Sequence, residues 1–255
     1  MDGSEDEDWS ERFAALAMIT AERFATTSGS YWAEVFPRLE HYLRISNLGP
    51  RVFDFPLELS SSPNRHAFVA ECAFAIWKGK LLRVDDIGLE EAQESARSRL
   101  RAVRRQVPLD GNLSSEEESE ALALARRLYD YSTGVKRFSN VQIDAHLAGC
   151  GPIMYGTPDI IAMDSSYGTP VSVIGEVKSV NRKFRSTDIR QVITYLVLYF
   201  AMHQSILEVL LIINPLLGRS LEVEVDTFFQ FAAGRPSQVV IPELVHDWSV
   251  SGISL

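Results

Sequence analysis

Residues 153–178 read IMYGTPDIIAMDSSYGTPVSVIGEVK. Two apolar stretches, Ile153–Asp164 and Pro170–Lys178, flank the turn Ser166-Tyr167-Gly168-Thr169, which predicts an antiparallel hairpin. In a hairpin centred on Tyr167-Gly168, Asp159 falls directly opposite Glu176, with Cβ atoms about 5 Å apart. Lys178 lies two residues beyond Glu176 and projects to the same face. Two close carboxylates among Ile160, Ile161, Val171, Val173 and Ile174 repel unless one is protonated or a cation lies between them. A hard divalent cation with oxygen ligands, Mg²⁺ before others, fits such a pair.

Outward from the hairpin, a long helix capped by Ser186 or Thr187 runs to about Met202. Gln191 and Tyr195 are four residues apart on it and share one side, distinct from the stripe of Ile189, Val192, Ile193, Leu196 and Phe200. Between strand and helix, Lys178, Arg182, Lys183, Arg185 and Arg190 place five bases in thirteen residues beside the two acids, a pattern suited to phosphate contacts. Ile206–Ile213 is a continuous apolar run, as in a buried central strand, and Leu221–Val225 alternates like an edge strand. Upstream, Asn140–Leu147 reads as a strand. Residues 114–131 read as a helix opened by a capping box, Ser114 followed by Glu117. The order is α-β-β-β-α-β, a mixed α/β sheet flanked by helices.

The first half is mainly helical. Phe13, Leu16, Ala17, Ile19 and Phe24 recur near a 3.6 period, and a second helix carries Trp32, Val35, Phe36, Leu39 and Leu43. Val52–Leu59 suggests a short strand at an edge, because Pro56 cannot donate to a ladder. Pro63–Lys78 is an apolar helix, and residues 89–107 form another. The implied organisation is an acidic tail over 1–10, a mainly helical region over 11–112, and an α/β domain over 113–255, with a soft boundary near Pro108–Leu113.

The 255 residues carry 25 Lys and Arg against 34 Asp and Glu, a net charge of −9. Six of those acids lie in residues 1–11, so the remainder is close to neutral and an acidic balance does not exclude a nucleic-acid partner. Two cysteines exclude a disulfide framework and any four-cysteine metal site. No apolar run reaches about 18 residues, and the acidic start is the opposite of a targeting peptide. The expectation is an intracellular protein, in the cytoplasm or a eukaryotic nucleus, with no membrane partner.

Gly156-Thr157-Pro158-Asp159, Gly175-Glu176-Val177-Lys178 and Gln191-Val192-Ile193-Thr194-Tyr195 together resemble the PD-(D/E)xK nuclease superfamily. The Gln-x-x-x-Tyr element is similar to its RecB-like exonuclease branch, and the likeness covers roughly residues 114–214. The resemblance implies a restriction-endonuclease-like core and a metal-dependent nuclease acting on nucleic acid, DNA before RNA, with Mg²⁺ or Mn²⁺ as cofactor. It implies Asp159 and Glu176 as metal ligands, with the Val177 carbonyl as a further one. Lys178 would orient or deprotonate the attacking water and stabilise developing charge. Gln191 and Tyr195 would complete the catalytic group. Among acids of the first core helix, Glu117 and Glu120 are candidates for the metal, and Glu120 is the choice. Arg182, Lys183, Arg185 and Arg190 would contact nucleic acid.

Each motif has a plainer explanation. Asp159, Glu176 and Lys178 could be a salt-bridge cluster at a sheet end, and the fold could be kept as an inactive binding or scaffold subunit. Arg97, Arg101, Arg104 and Arg105 share a helix face that Glu90, Glu91 and Glu94 could neutralise as readily as phosphates. The five histidines have no ligand spacing, and Cys72 fits a core position. P-loop, G-x-S-x-G and G-x-G-x-x-G motifs are absent from the sequence. A protein partner or a homo-oligomer is compatible with all of this.

Overall fold

The computed structural model describes residues 19–27, 29–47, 52–53, 56–82, 87–103 and 111–250. The acidic tail over 1–10, the apolar positions Phe13, Leu16 and Ala17, and Arg104 and Arg105 lie outside these residues, as do three residues of the expected boundary, 108–110.

The expected hairpin forms, but its first strand is shorter than the apolar run that announces it. Ile153–Asp164 divides into β3 (Ile153–Gly156) and β4 (Ile160–Asp164). Pro158 stands at the break, where its missing N–H ends a ladder. β3 pairs instead with β2 (Leu147–Cys150) as a separate two-stranded ribbon. The expected strand Asn140–Leu147 divides likewise, into β1 (Phe138–Ile143) and the start of β2, with Asp144 at a left-handed φ of 53° between them. β4 pairs antiparallel with β5 (Val171–Val177), Ile160 facing Gly175 and Asp164 facing Val171. That is the register read from the turn. Continued one residue outward, it sets Asp159 opposite Glu176.

The main sheet has the order β1-β4-β5-β6-β7, with β6 at Val209–Asn214 and β7 at Arg219–Glu224. Only β5 and β6 run parallel, and the crossover between them is the long helix Ser186–His203. Every residue of β6 is buried, as its unbroken apolar run requires. Alternate sheet residues feed two cores. Ile161, Ile174, Leu210 and Ile212 join one, Ala162, Val173, Leu211 and Ile213 the other.

Helices from the first half cover both faces. On the first face, α1 (Ala21–Thr27), α2 (Gly29–Val35) and α3 (Leu39–Ser46) bring Phe24, Trp32 and Phe36 into the core. They share it with Phe228, Phe229 and Trp248 of the last two helices, Val225–Ala232 and Ser237–Val250. There Trp248 Nε1 donates to the Tyr31 hydroxyl at 2.8 Å. On the second face, α4 (Pro63–Leu82) packs against α5 (Leu89–Val103) and α6 (Ser115–Asp130), with Phe68, Trp77, Leu124 and Leu128 in the core. The helical region therefore forms the two outer layers of one α/β arrangement. Among the described residues no helix is long and apolar enough to cross a membrane.

Two local expectations are corrected. The described part of Val52–Leu59 is not a strand; its Val52 and Leu57 N–H groups donate to the Gly218 and Leu216 carbonyls at the β6–β7 turn. The long crossover helix is preceded by Arg185, not capped by Ser186 or Thr187. Asp188 reaches back to accept the Arg185 N–H at 2.8 Å. The capping box of α6 is present, with Ser114 Oγ accepting from the Glu117 N–H and the Glu117 carboxylate from the Ser114 N–H.

Gly175, beside Glu176, holds the register tight. A Cβ there would stand 2.8 Å from Ile160 Cγ2 and 3.2 Å from the Leu211 carbonyl oxygen. Gly175→Ala is expected to destabilise the chain by about 1–3 kcal/mol, the usual scale for overpacking between strands. Chemical denaturation checks this, and an unchanged midpoint would show that β4 and β6 yield freely.

Candidate active site

The site lies at the sheet end where β4 begins and β5 finishes, and each helical layer sends a residue to it, Arg99 from one and Glu22 from the other. Asp159 precedes β4 and Glu176 is the penultimate residue of β5; both are buried, at 3% and 6% exposure. Glu176 and Lys178 project to the same face, and the Lys178 ammonium donates to Glu176 Oε1 at 2.9 Å. Lys178 Nζ also donates to Gln191 Oε1 at 2.7 Å. The Gln191 amide nitrogen donates to Glu176 Oε1 at 2.9 Å and to the Tyr195 hydroxyl at 2.7 Å. The Tyr195 hydroxyl in turn donates to Glu22 Oε1 of α1. Lys178, Glu176, Gln191 and Tyr195 are thus one hydrogen-bonded network, as their spacing suggested. Gly156 makes room for it, since a Cβ there would stand 2.8 Å from the Tyr195 ring.

Asp159 is committed differently. Its Oδ1 accepts from Arg99 Nη2 at 2.7 Å and its Oδ2 from the Val177 N–H at 2.8 Å. Arg99 comes from α5, and its guanidinium also meets Glu71 of α4 and Asp144. Lys78 takes the second oxygen of Asp144 at 2.7 Å. Sequence inspection missed Arg99, Glu71, Asp144, Lys78 and Glu22. Two signals were present. Glu71 is the one acid within the apolar helix Pro63–Lys78, and Arg99 is the arginine of its run that does not share the face of Arg97 and Arg101.

Glu120 does not join the acids. It lies one turn beyond Glu117 on the face of α6 that looks toward residues 60–65. There Glu117 pairs with Arg65 at 2.9 Å, and Glu120 Oε1 accepts from the Ser60 N–H and hydroxyl. Among the expected nucleic-acid contacts, Arg182 is held by both oxygens of Asp188, at 2.7 and 2.9 Å. Lys183 and Arg185 are exposed. Arg190 is half-buried, its Nε has no hydrogen-bond partner among the described residues, and burial presses its pKa down. Arg97 binds Glu94, the Gly111 carbonyl and Asn112. Burial pushes the Cys72 thiol up to about 12, in keeping with a core position.

The electrostatics follow from burial. Burial, and then the charge of Asp159, push the Glu176 carboxyl from its ordinary 4.5 up to about 8. Burial also raises Asp159, against the pull of Arg99 and the Val177 N–H. Burial alone would lower Lys178, but Glu176 and Asp159 outweigh it and hold its pKa above the usual value. Lys178 is therefore a fixed cation rather than a base. Burial, with Glu176 and Glu22, raises Tyr195 well above its ordinary value, so it stays a phenol.

Glu176 Oε2 is buried and has no hydrogen-bond partner among the described residues, and Asp159 lies beside it. Arg99 already holds the neighbouring Asp159 oxygen, and Val177 commits its N–H to the other. Among the described residues no group of three or more His, Cys, Asp and Glu side chains is arranged to hold a metal ion. No family model and no curated protein matches the chain.

The raised carboxyl makes stability pH-dependent. Between its ordinary 4.5 and about 8, folded Glu176 holds a proton that the unfolded chain has released. Its contribution is fully present below that window and is lost as pH rises through it. In EDTA the melting temperature should fall by roughly 5 °C or more from pH 5 to pH 8, and Glu176→Gln should flatten the slope. Melts of both proteins across this range check it; an identical slope in the two would remove the assignment.

Proposed function

We propose that the chain is a metal-dependent nuclease that hydrolyses phosphodiester bonds of nucleic acid, DNA in preference to RNA. Its sheet would be a restriction-endonuclease-like core of the PD-(D/E)xK kind, with β2 and β3 as an added ribbon. The supporting observation is the network in which Lys178 and Gln191 share Glu176 Oε1, while Glu176 Oε2 stays unpartnered beside Asp159. Chance salt bridging does not require an orphaned carboxylate oxygen in the core, where its desolvation is costly.

Each residue then has a task. Asp159 and Glu176 would hold Mg²⁺ or Mn²⁺, which when bound supplies Lewis acidity toward the phosphate. Lys178, kept cationic by its neighbours, places positive charge where negative charge grows on the phosphoryl oxygens. Gln191 fixes the Lys178 ammonium and the Glu176 carboxylate at once, and Tyr195 fixes Gln191. Exposed Lys183 and Arg185 would meet the phosphate backbone, while Arg182 orders the loop through Asp188. One observation favours a second reading, an inactive nuclease-like binding or scaffold subunit: Arg99 occupies an oxygen of Asp159 that a metal would use.

Incubation with linear, circular and single-stranded DNA and with RNA, in Mn²⁺ and in EDTA, separates the two. Cleavage is expected in Mn²⁺ alone. Lys178→Ala should lower it by at least about 10²-fold while Mn²⁺ binding persists. Full activity in EDTA, or none on any substrate, would remove the nuclease reading. In the Lys178→Ala background, Lys183→Gln with Arg185→Gln should weaken DNA binding and reduce its log–log salt slope by roughly 1–2. An unchanged slope would place these bases away from the phosphates.

A further inference from the structure

A line of three hydrogen bonds runs from α1 to the Lys178 ammonium. The Tyr195 hydroxyl donates to Glu22 Oε1 at 2.5 Å, the Gln191 amide nitrogen donates to the Tyr195 oxygen at 2.7 Å, and Gln191 Oε1 accepts from Lys178 Nζ at 2.7 Å. The second hydrogen of the Gln191 amide goes to Glu176 Oε1 at 2.9 Å. Tyr195, Gln191 and Glu176 are buried, whereas Glu22 is half-buried at the outer end of the line. Ala21, Phe24 and Ala25, all fully buried, seat α1 in the core around it.

Each link has a direction. A phenol carries one proton, and a carboxylate only accepts. With its proton committed to Glu22, the Tyr195 oxygen can only accept from Gln191. The carboxamide must then turn its nitrogen toward Tyr195 and Glu176, which leaves its oxygen for Lys178. Without Glu22, the phenol proton can go to a reversed Gln191 amide instead. That reversal would set the amide nitrogen against the Lys178 ammonium, donor to donor, and release Lys178 from Gln191.

We propose that Glu22 is a positioning residue: by taking the Tyr195 proton it fixes which way the Gln191 carboxamide faces, and so where the Lys178 ammonium stands beside Glu176. The role rests on the nuclease reading of Lys178 and Glu176 and adds to it a residue from the helical first half. Lys178 favours the same amide orientation, but its ammonium is the group to be placed. Glu22 holds the amide from the opposite end, and still holds it when Lys178 turns toward a phosphoryl oxygen. A merely structural Glu22 would satisfy a buried phenol and no more. Its loss would lower the melting temperature and leave turnover per folded molecule unchanged.

Two measurements on the full chain separate these roles. The first needs no activity: the Gln191 side-chain amide is followed by NMR with isotope-labelled glutamine and assigned by its loss in Gln191→Asn. In Glu22→Leu, and in Glu22→Ala as a second variant lacking the acceptor, hydrogen exchange of that amide is expected to rise by at least about 10-fold. Glu22→Gln keeps an acceptor oxygen and should stay near wild type. The second measurement is turnover of DNA in Mn²⁺, well below the melting temperature. Both variants without the acceptor should lose about 10-fold or more in kcat with KM within about 3-fold of wild type, the scale for removing a partner that orients a catalytic group. Glu22→Gln should recover most of kcat. Tyr195→Phe should resemble Glu22→Leu, and combining the two should cost nothing further, because both cut the same line.

Wild-type kcat in Glu22→Leu or an unchanged Gln191 amide overturns the proposal. So does a Glu22→Gln as impaired as Glu22→Leu, or an additive loss in the double variant. If wild type cleaves nucleic acid, the nuclease reading survives any of these results. If wild type cleaves nothing, the nuclease reading falls, and the amide alone decides whether Glu22 sets the orientation of Gln191.

Discussion

Two carboxylates are buried side by side because the β4–β5 register allows nothing else. Ile160 faces Gly175, so Asp159 must face Glu176, and both side chains end in a region that water hardly reaches. Such a pair is unfavourable by itself, and much of the surrounding structure compensates for it. Lys178 and Gln191 converge on one acid; Arg99 and the Val177 N–H converge on the other. Glu71 and Asp144 accept from the guanidinium nitrogens of Arg99 that Asp159 leaves over. These partners thus follow from the hairpin.

This dependence explains what could be read from the chain. The register was legible because a Gly-containing turn and two apolar strands fix it locally. Gln191 and Tyr195 were legible because helical spacing places them on one side. The capping box at Ser114 and Glu117 was legible for the same reason: its partners lie within one turn. Arg99 was not, since it meets Asp159 from 60 residues away, and its place off the face of Arg97 and Arg101 does not say which acid it meets. Glu120 was misplaced because the sequence gives the phase of α6 but not which neighbour that face meets. The strand limits failed at Pro158 and Asp144, where apolar character continues although the chain leaves the main sheet.

The helical first half contributes to the site from both faces of the sheet. Through α5 it delivers Arg99 to Asp159, through α4 Glu71 to Arg99, and through α1 Glu22 to Tyr195. The site is therefore shared across the midpoint of the chain, although the α/β pattern that suggests it lies entirely in the second half.

The bond between Trp248 and Tyr31 joins residues 217 apart. On the ribosome, α2 emerges long before the helix that covers it. Phe24, Trp32 and Phe36 then wait with their shared core unfinished, an apolar surface of the kind that holdase chaperones engage. Because α1 also supplies Glu22 to the network at Tyr195, the cluster of buried charges completes only after these helices dock. A nascent chain in which α1 has not docked carries the acids without their full set of partners, because Tyr195 then lacks Glu22.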